Sequence, residues 1–472
     1  MSNNYVIMKN LDPIVSLSKR RGFVYPGSEI YGGFGNSYTY GPLGIELKKN
    51  IKDLWWKTFV HQRADMVGID GDIILHPKTW HASGHVAGFS DQMVDCRTCK
   101  ARLRADHLVE DALKQDCEGL PDEEVTALIR DNGIKCPKCG GKDLTEVRKF
   151  NLMFETQMAK TGEESTAYLR PETAQAIFLE FKNVVDSTRV KIPFGIAQIG
   201  KAFRNEITPG NFIFRRLEFE QMEIEYFIHE DDWKSVFEAW HNAMKAWCDL
   251  IGLSKEKCHD LEHAPEKLSH YSKRTVDIEY DFPFGRKELY GLAYRTNFDL
   301  TQHQEHSGKK LAYRDPMTNE EYIPHVIEPT FGVDRTILAV MCEAYREEKL
   351  EDGSERTVMA FKPVLAPIKV AVLPLMKKDG LPEKAREILS MLTGGHDPLS
   401  GKDFGNCEYD DGGAIGKRYR RQDEAGTPVC ITVDYESLED ETVTVRDRDT
   451  MKQERIKIGD LVAYLAEHYF SS

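Results

Sequence analysis

Residues 194–228 read FGIAQIGKAFRNEITPGNFIFRRLEFEQMEIEYFI, and this stretch decides the fold. Two long runs rich in alternating apolar residues flank Thr208 to Asn211, a tetrad whose Pro-Gly-Asn composition suits a chain reversal. The pattern predicts two long strands joined as an antiparallel hairpin. Alternation puts Arg204 and Glu206 on one face of the first strand. The returning strand carries Arg215 and Arg216, then Glu218, Glu220, Glu223 and Glu225. Strands are poor in glutamate, so this density asks for a cause. One reading is a solvated face of ion pairs, which suits Glu218 and Glu220. The other is a small polar pocket beside a ring, where Phe219, Gln221 and Glu223 alternate onto the opposite face. The residues leave both open.

Upstream, residues 43–60 (LGIELKKNIKDLWWKTFV) space Leu47, Ile51, Leu54, Trp55 and Phe59 as the stripe of an amphipathic helix. The run VGIDGDIILHP reads as a strand that Pro77 stops. Downstream, Trp233, Phe237, Trp240 and Met244 mark a helix, VDIEYDFPFG and ELYGLAYRTNFDL mark strands, and HVIEPTFGVDRTILAVMCEAY reads as a strand passing through Gly332 into a helix. The charged run before Pro363 and Pro367 marks a domain boundary, and strands and helices beyond it make a small α/β domain. The expected fold class is α/β in the α+β sense: an antiparallel sheet flanked by helices, in segments 1–90 and 166–362. It is interrupted by a Cys-rich insertion at 91–165 and followed by a domain at 366–472.

A chain of 472 residues with a formal net charge of -14 excludes a uniformly basic surface of the kind that coats duplex DNA, so no DNA partner is expected. A nucleic acid held by local patches stays open. The opening MSNNYVIMKNLDP has neither a basic nor an apolar targeting region, and no apolar run approaches the roughly 20 residues that cross a bilayer. No membrane partner and a cytoplasmic location follow as expectations. Ten cysteines without a secretion signal argue against a disulfide framework. Cys96-x-x-Cys99 and Cys136-x-x-Cys139 are paired knuckles with Pro137 and Gly140 at the second turn, which suits a closed tetrahedral Zn²⁺ site of structural type. Cys117, Cys248, Cys258, Cys342, Cys407 and Cys430 lack such spacing and read as structural. His81 and His85 share a helical face without a third ligand.

Two further motifs place charge near helix starts. Glu172 in Arg170-Pro171-Glu172-Thr173 suits the positive end of a helix dipole as a simple cap. Arg335, behind Glu328-Pro329-Thr330-Phe331-Gly332-Val333-Asp334, opposes that dipole unless an anion sits nearby. The basic run Lys417, Arg418, Arg420, Arg421 is a solvated surface or a phosphate contact.

The helix and strand ending in Pro77, the strand Phe203-Arg204-Asn205-Glu206 with its partner, and Gly332-Val333-Asp334-Arg335 resemble motifs 1, 2 and 3 of class II aminoacyl-tRNA synthetases. Within that class, WHASGHVAGFSD, RPETAQ, RNEITPGNFIFRRLEFEQMEIEYF and VIEPTFGVDR resemble the homodimeric glycyl-tRNA synthetase family, and the domain from about Pro367 is similar to its anticodon-binding domain. The resemblance implies activation of glycine by ATP and transfer to tRNA(Gly), with Mg²⁺ at the phosphates. It implies catalytic roles for Arg204, Glu206 and Arg335, with Arg204 on the α-phosphate. Asn205, Glu206 and the segment Phe214, Arg215, Arg216, Leu217, Glu218 would hold ATP, with Phe219 stacked on adenine. Gly332, Val333, Asp334 and Arg335 would clamp its far side, and Glu288 beside Leu289, together with Glu328, would hold Mg²⁺. Glycine would fall to Glu172 and Glu223, with Phe219, Glu220, Gln221, Met222, Glu328 and Thr330 close by and Arg104 on the substrate side. Motif 1 implies that the 43–60 helix lines a two-fold dimer interface. Rival readings are an inactive synthetase-like accessory protein and a synthetase for another small amino acid; intact Arg204, Glu206, Glu172 and Arg335 weigh against the first, Glu172 and Glu223 against the second.

Overall fold

The computed structural model describes residues 10–470 apart from 116, 118, 160–164, 208–209, 351 and 395–403, and residues 194–228 lie in its seven-stranded sheet. The strands are β1 (Met66–Gly68), β2 (Phe194–Phe203), β3 (Glu218–Ile228), β4 (Cys258–Glu262), β5 (Arg274–Phe282), β6 (Gly285–Thr296) and β7 (His325–Gly332). They run in the order β4-β5-β6-β7-β3-β2-β1. Neighbours are antiparallel except β1 with β2.

The hairpin is present, but its strands are shorter than the sequence predicts. β2 ends at Phe203 and β3 begins only at Glu218. Thr208 and Pro209, half of the predicted turn, lie outside the described residues. Phe212, Ile213 and Phe214 leave the strand for a short 3₁₀ turn because all three are buried in the main core, where the Phe214 ring meets Phe282 and Phe284 edge-on at 5.3 Å. Extended backbone would alternate one of them toward solvent.

β3 divides the molecule. Its even residues Met222, Ile224 and Tyr226 face a core built with helices α1 (Pro42–Trp56), α3 (Trp233–Ile251) and α5 (Val333–Ala344). On the opposite face, α2 (Ala174–Thr188) lays Ile177, Phe178 and Phe181 against Phe194, Ile196 and Phe227, with Leu300 of α4 (Phe298–Ser307) beside them. α2 covers only the Phe227 end of that face. The Phe219 to Glu223 end is left for a site.

One expectation is corrected here. Pro77 does not stop a strand; β1 ends at Gly68, and Pro77 opens a helix, Pro77–Ala82, at the first-turn position where its missing N–H costs nothing. The stripe of α1 is covered within its own chain: Leu47, Ile51 and Trp55 are fully buried, and the Trp55 ring packs edge-on to Phe331 at 5.8 Å.

The insertion has a three-stranded sheet (Ser90–Asp95, Arg102–Arg104, Arg148–Asn151) and two helices, Ala105–Leu113 and Asp122–Asp131. Val94, Val109, Val125, Ile129 and Val147 give it a small core of its own. At the other end, β8 (Val370–Pro374), β9 (Cys407–Tyr409), β10 (Val429–Val433), β11 (Thr442–Asp447) and β12 (Gln453–Lys457) form a sheet in the order β9-β8-β10-β11-β12. Helices Leu381–Leu392 and Leu461–His468 share its core. Most of the glycine-rich stretch before β9 lies outside the described residues. No helix among the described residues is long and apolar enough to cross a membrane.

Candidate active site

The site grows from the odd residues of β3 and from what the neighbouring strands bring into register with them. Glu223 opposes Gln198 of β2 and Thr330 of β7, and Thr330 in turn opposes Gly291 of β6. One rung across the sheet therefore carries a carboxylate and a hydroxyl above a glycine.

The outer part is a cavity lined by Arg204, Glu206, Phe214, Arg215, Phe219, Glu288 and Arg335. Arg204 leaves the end of β2, where its backbone N–H donates to the Leu217 carbonyl at 2.9 Å and its Nε donates to the Pro171 carbonyl at 3.0 Å. Its guanidinium lies 5.3 Å from both the Phe89 and Phe219 ring centres, a placement that orders a long cation without neutralising it. Arg215 and Glu206 are 3.9 Å apart. Across the cavity, Arg335 Nη1 is 3.1 Å from both the backbone oxygen and a carboxylate oxygen of Glu288, and its guanidinium covers Phe214 at 4.4 Å. The Arg335 charge is the main reason the Glu288 carboxyl sits below its ordinary range. The protein thus supplies a nearby carboxylate for the helix-start cation.

The inner part is a carboxylate cup. Thr173 Oγ1 donates to Glu223, Thr330 Oγ1 donates to Glu223 Oε1 at 3.0 Å, and the Thr173 N–H donates to Gln221 Oε1 at 3.2 Å. Glu172, at the start of α2, accepts from Gln175 Nε2 at 2.9 Å and lies 3.3 Å from His85 Nε2. Burial works to raise the Glu172 carboxyl, but His85, then Arg295 and Gln175, outweigh it and hold it well below the carboxylate range. Burial and the neighbouring Glu172 charge push Glu223 up. Behind them Arg295 grips Asp299 with two bonds of 2.8 Å and donates to Glu328 Oε1 at 2.7 Å, sandwiched between the rings of Tyr271 and Phe178. Burial drives the Glu328 carboxyl up to about 8.

Several expected site residues are engaged elsewhere. Arg216 donates to Asp334 at 2.5 Å and to the Tyr38 carbonyl at 2.7 Å, and Asp334 also accepts from Tyr40 and from the Glu220 N–H. These two residues brace α5 against β3, although they border the cavity. Glu220 is not on a solvated face; it points away from the cup to Lys48 and Lys52 of α1. Glu218 does form an exposed pair, with Lys201 at 2.6 Å. Met222 and Val333 are core residues on the opposite face, and Leu289 is buried beside them. Leu217 and Asn205 use backbone N–H groups to tie the loop to the Asn36 and Leu152 carbonyls, and Gly332 stands in extended backbone just before α5. Arg104 pairs with Asp91 and Asp106 in the insertion. Glu288 and Glu328 cannot share one ion: Glu328 opposes Ala293, five residues along β6 from Glu288, a separation on the order of 15 Å.

The sequence reading missed Arg295, Asp299, Thr173 and Gln175. The i,i+4 spacing of Arg295 and Asp299 was a usable signal, but their partners come from α2 and β7, which are distant in sequence. Arg170 was also missed: fully enclosed, it donates to the carbonyls of Lys201 (2.6 Å) and Gly71 (2.7 Å). A Cβ at Gly200 would lie 2.2 Å from its guanidinium, so this glycine makes room for the bracket. In the insertion, Cys96 Sγ is 3.6 Å from Cys139 Sγ, and Cys99 Sγ is 3.7 Å from Cys136 Sγ.

Residues 154–345 match the family described as tRNA synthetase class II core domain (G, H, P, S and T), and residues 369–468 match the anticodon binding domain. The glycine–tRNA ligase of Acetivibrio thermocellus is 54% identical over 464 residues, covering 97% of this chain and 98% of the relative. That of Geobacillus thermodenitrificans is 55% identical over 463 residues, covering 96% and 97%, and that of Clostridium tetani is 53% identical over 468 residues, covering 98% and 99%.

Proposed function

Because this chain belongs to the glycine–tRNA ligases, a family of class II aminoacyl-tRNA synthetases, we infer that its cavity joins glycine to ATP and hands the glycyl group to tRNA(Gly). In the first step a glycine carboxylate oxygen attacks the α-phosphorus and pyrophosphate leaves; in the second a ribose hydroxyl of the tRNA attacks the glycyl carbonyl and AMP leaves. A carboxylate is already nucleophilic at neutral pH, so the first step needs alignment and charge stabilisation, not a base. Arg204, ordered between two rings, is the donor to the α-phosphate. Phe219 stacks on adenine, Glu206 and Arg215 border the nucleotide, and Arg335 holds its far side by leaving Glu288 for phosphate. The observation that carries the reading is the cup: Glu172 and Glu223, two buried carboxylates that influence each other's charge and are held by Thr173, Thr330 and Gln175, suit an ammonium group.

Class II synthetases use ATP and Mg²⁺. Glu288, a carboxylate on the cavity wall, is the residue whose chemistry fits that hard cation, which supplies charge neutralisation on the phosphates. For the insertion we infer a structural Zn²⁺ held by Cys96, Cys99, Cys136 and Cys139. Its support is the sulfur spacing, since a tetrahedron with Zn–S bonds of about 2.3 Å has edges of about 3.8 Å. The segments at 1–90 and 166–362 then make the catalytic domain, 91–165 the zinc-binding insertion and 366–472 the anticodon reader. The enzyme works as a cytoplasmic homodimer. With the α1 stripe internal, the surface offered to a second copy is the loop carrying Ile30, Tyr31 and Phe34, which are 89%, 86% and 65% exposed.

Glycine-dependent ATP–pyrophosphate exchange tests the assignment. Arg204→Ala is expected to reduce exchange by at least about a hundredfold, the scale of losing one donor to a developing phosphoryl charge. Exchange at the parent rate in that variant would remove Arg204 from the chemistry.

A further inference from the structure

Among the described residues, Glu225 is the one carboxylate with both oxygens enclosed and without a hydrogen-bond partner. It is 0% exposed. It projects from the same face of β3 as Glu223, under the start of α2. The β3–β7 register, which pairs Glu223 with Thr330 and Tyr226 with Ile327, sets Glu225 directly opposite Glu328. One oxygen each from Glu223, Glu225 and Glu328 lie within 4.8 Å of one another.

Two carboxylates facing each other across a ladder repel when both are charged, and burial multiplies the cost. The charged groups that face Glu225 are Glu328 on β7, Glu223 on its own strand, Arg295 on β6 and Asp299 on α4. Arg295 is the only cation among them, and its donors already serve Asp299 and Glu328. Nothing described is left to neutralise a Glu225 anion. Of the facing pair, Glu328 has the guanidinium and ionises first; Glu225 has none and keeps its proton to higher pH. Burial and the Glu328 charge push the Glu225 carboxyl well above its ordinary range.

We propose that Glu225 stays a neutral carboxylic acid through the reaction and donates a hydrogen bond to Glu328, as a positioning residue that fixes the floor of the amino-acid cup. This rests on the assignment of that cup to glycine. The role explains how a site with five carboxyl groups, Glu172, Glu223, Glu225, Glu328 and Asp299, remains ordered before an ammonium group arrives. A neutral O–H supplies a donor where a further anion would drive Glu328 away.

The test uses the full chain with Glu225→Gln, which keeps a neutral donor of the same shape, and Glu225→Ala, which removes it. Between the unfolded carboxyl pKa and the raised folded value, the native parent holds a proton that the unfolded chain has lost. Stability conferred by the parent therefore falls as pH rises. Glu225→Gln abolishes that linkage, so its melting temperature relative to the parent is expected to climb steadily from pH 5.5 to 8.5. In exchange assays Glu225→Gln is expected to keep the glycine KM within about threefold. Glu225→Ala is expected to raise it at least about tenfold, with the KM for ATP unchanged, because the lost interaction is on the amino-acid side. A pH-independent melting offset for Glu225→Gln, or a glycine KM as damaged in Glu225→Gln as in Glu225→Ala, would overturn the proposal. If Glu225→Ala does not fold, the Glu225→Gln series decides alone. Absence of glycine-dependent exchange in the parent would instead defeat the assignment of the cup, while the melting series would still report the proton.

Discussion

At the residue scale, the proposal is that glycine is recognised by what fills the space where a side chain would go. Glu172 and Glu223 reach the same volume from different elements, and Thr330 orients Glu223 through its hydroxyl. Thr330 carries a methyl group beside that hydroxyl. If that methyl narrows the pocket, Thr330→Ser should leave glycine activation within about tenfold of the parent and raise the alanine-to-glycine ratio of exchange rates by about 10- to 200-fold, the worth of one methyl-sized gap. An unchanged ratio would place the methyl in the wall. Glu172→Gln removes the charge but keeps the acceptor for Gln175, so a raised glycine KM is expected in a protein that still folds cooperatively, with a somewhat lower melting temperature because His85 and Arg295 lose a partner anion. A collapsed melting curve would make Glu172 a structural cap instead.

At the element scale, period-two alternation made both faces of β3 legible, because a strand sends neighbours to opposite sides whatever surrounds it. Glu223 and Gln221 could be placed together from sequence for that reason. What covers Glu220 could not be read, since its partners Lys48 and Lys52 lie on a helix distant in the chain. The same limit explains the α1 stripe: periodicity says that Leu47, Ile51 and Trp55 must be covered, not by what. Arg295 was hidden because its partners Glu328 and Asp299 meet only after β6, β7 and α4 assemble. The knuckles, by contrast, are local and were readable. Cys136→Ser should lose zinc measured on the purified protein and loosen the insertion, whose own core is small, while the seven-stranded sheet stays folded. Full zinc occupancy in that variant would show the ligand set to be wrong.

At the scale of the whole molecule, the C-terminal domain is locked to the catalytic body. Arg356, from the strand Glu355–Met359, is 1% exposed beside Asp423, itself 1% exposed, at 3.2 Å, and Asp423 is also held by Arg446 at 2.8 Å. Truncation near Pro363 would take Asp423 and the Arg448 carbonyl away from Arg356 and uncover it, leaving its bond to Glu348 at 2.6 Å. A cleaner separation comes from the surface. Arg418 is buried against the carbonyls of Pro374 and Leu375, and Arg421 grips Asp410; within the basic run Lys417 is exposed, and Arg420 and Arg421 are half-buried. Lys417→Glu with Arg420→Glu should lower tRNA charging while leaving pyrophosphate exchange intact, and equal charging would remove this patch from the tRNA interface. The claim on which the account depends is that the carboxylate cup admits glycine and nothing larger. ATP–pyrophosphate exchange with glycine, alanine, serine and threonine in parallel tests it most directly: exchange with glycine alone is the predicted result, and comparable exchange with alanine or serine would contradict it.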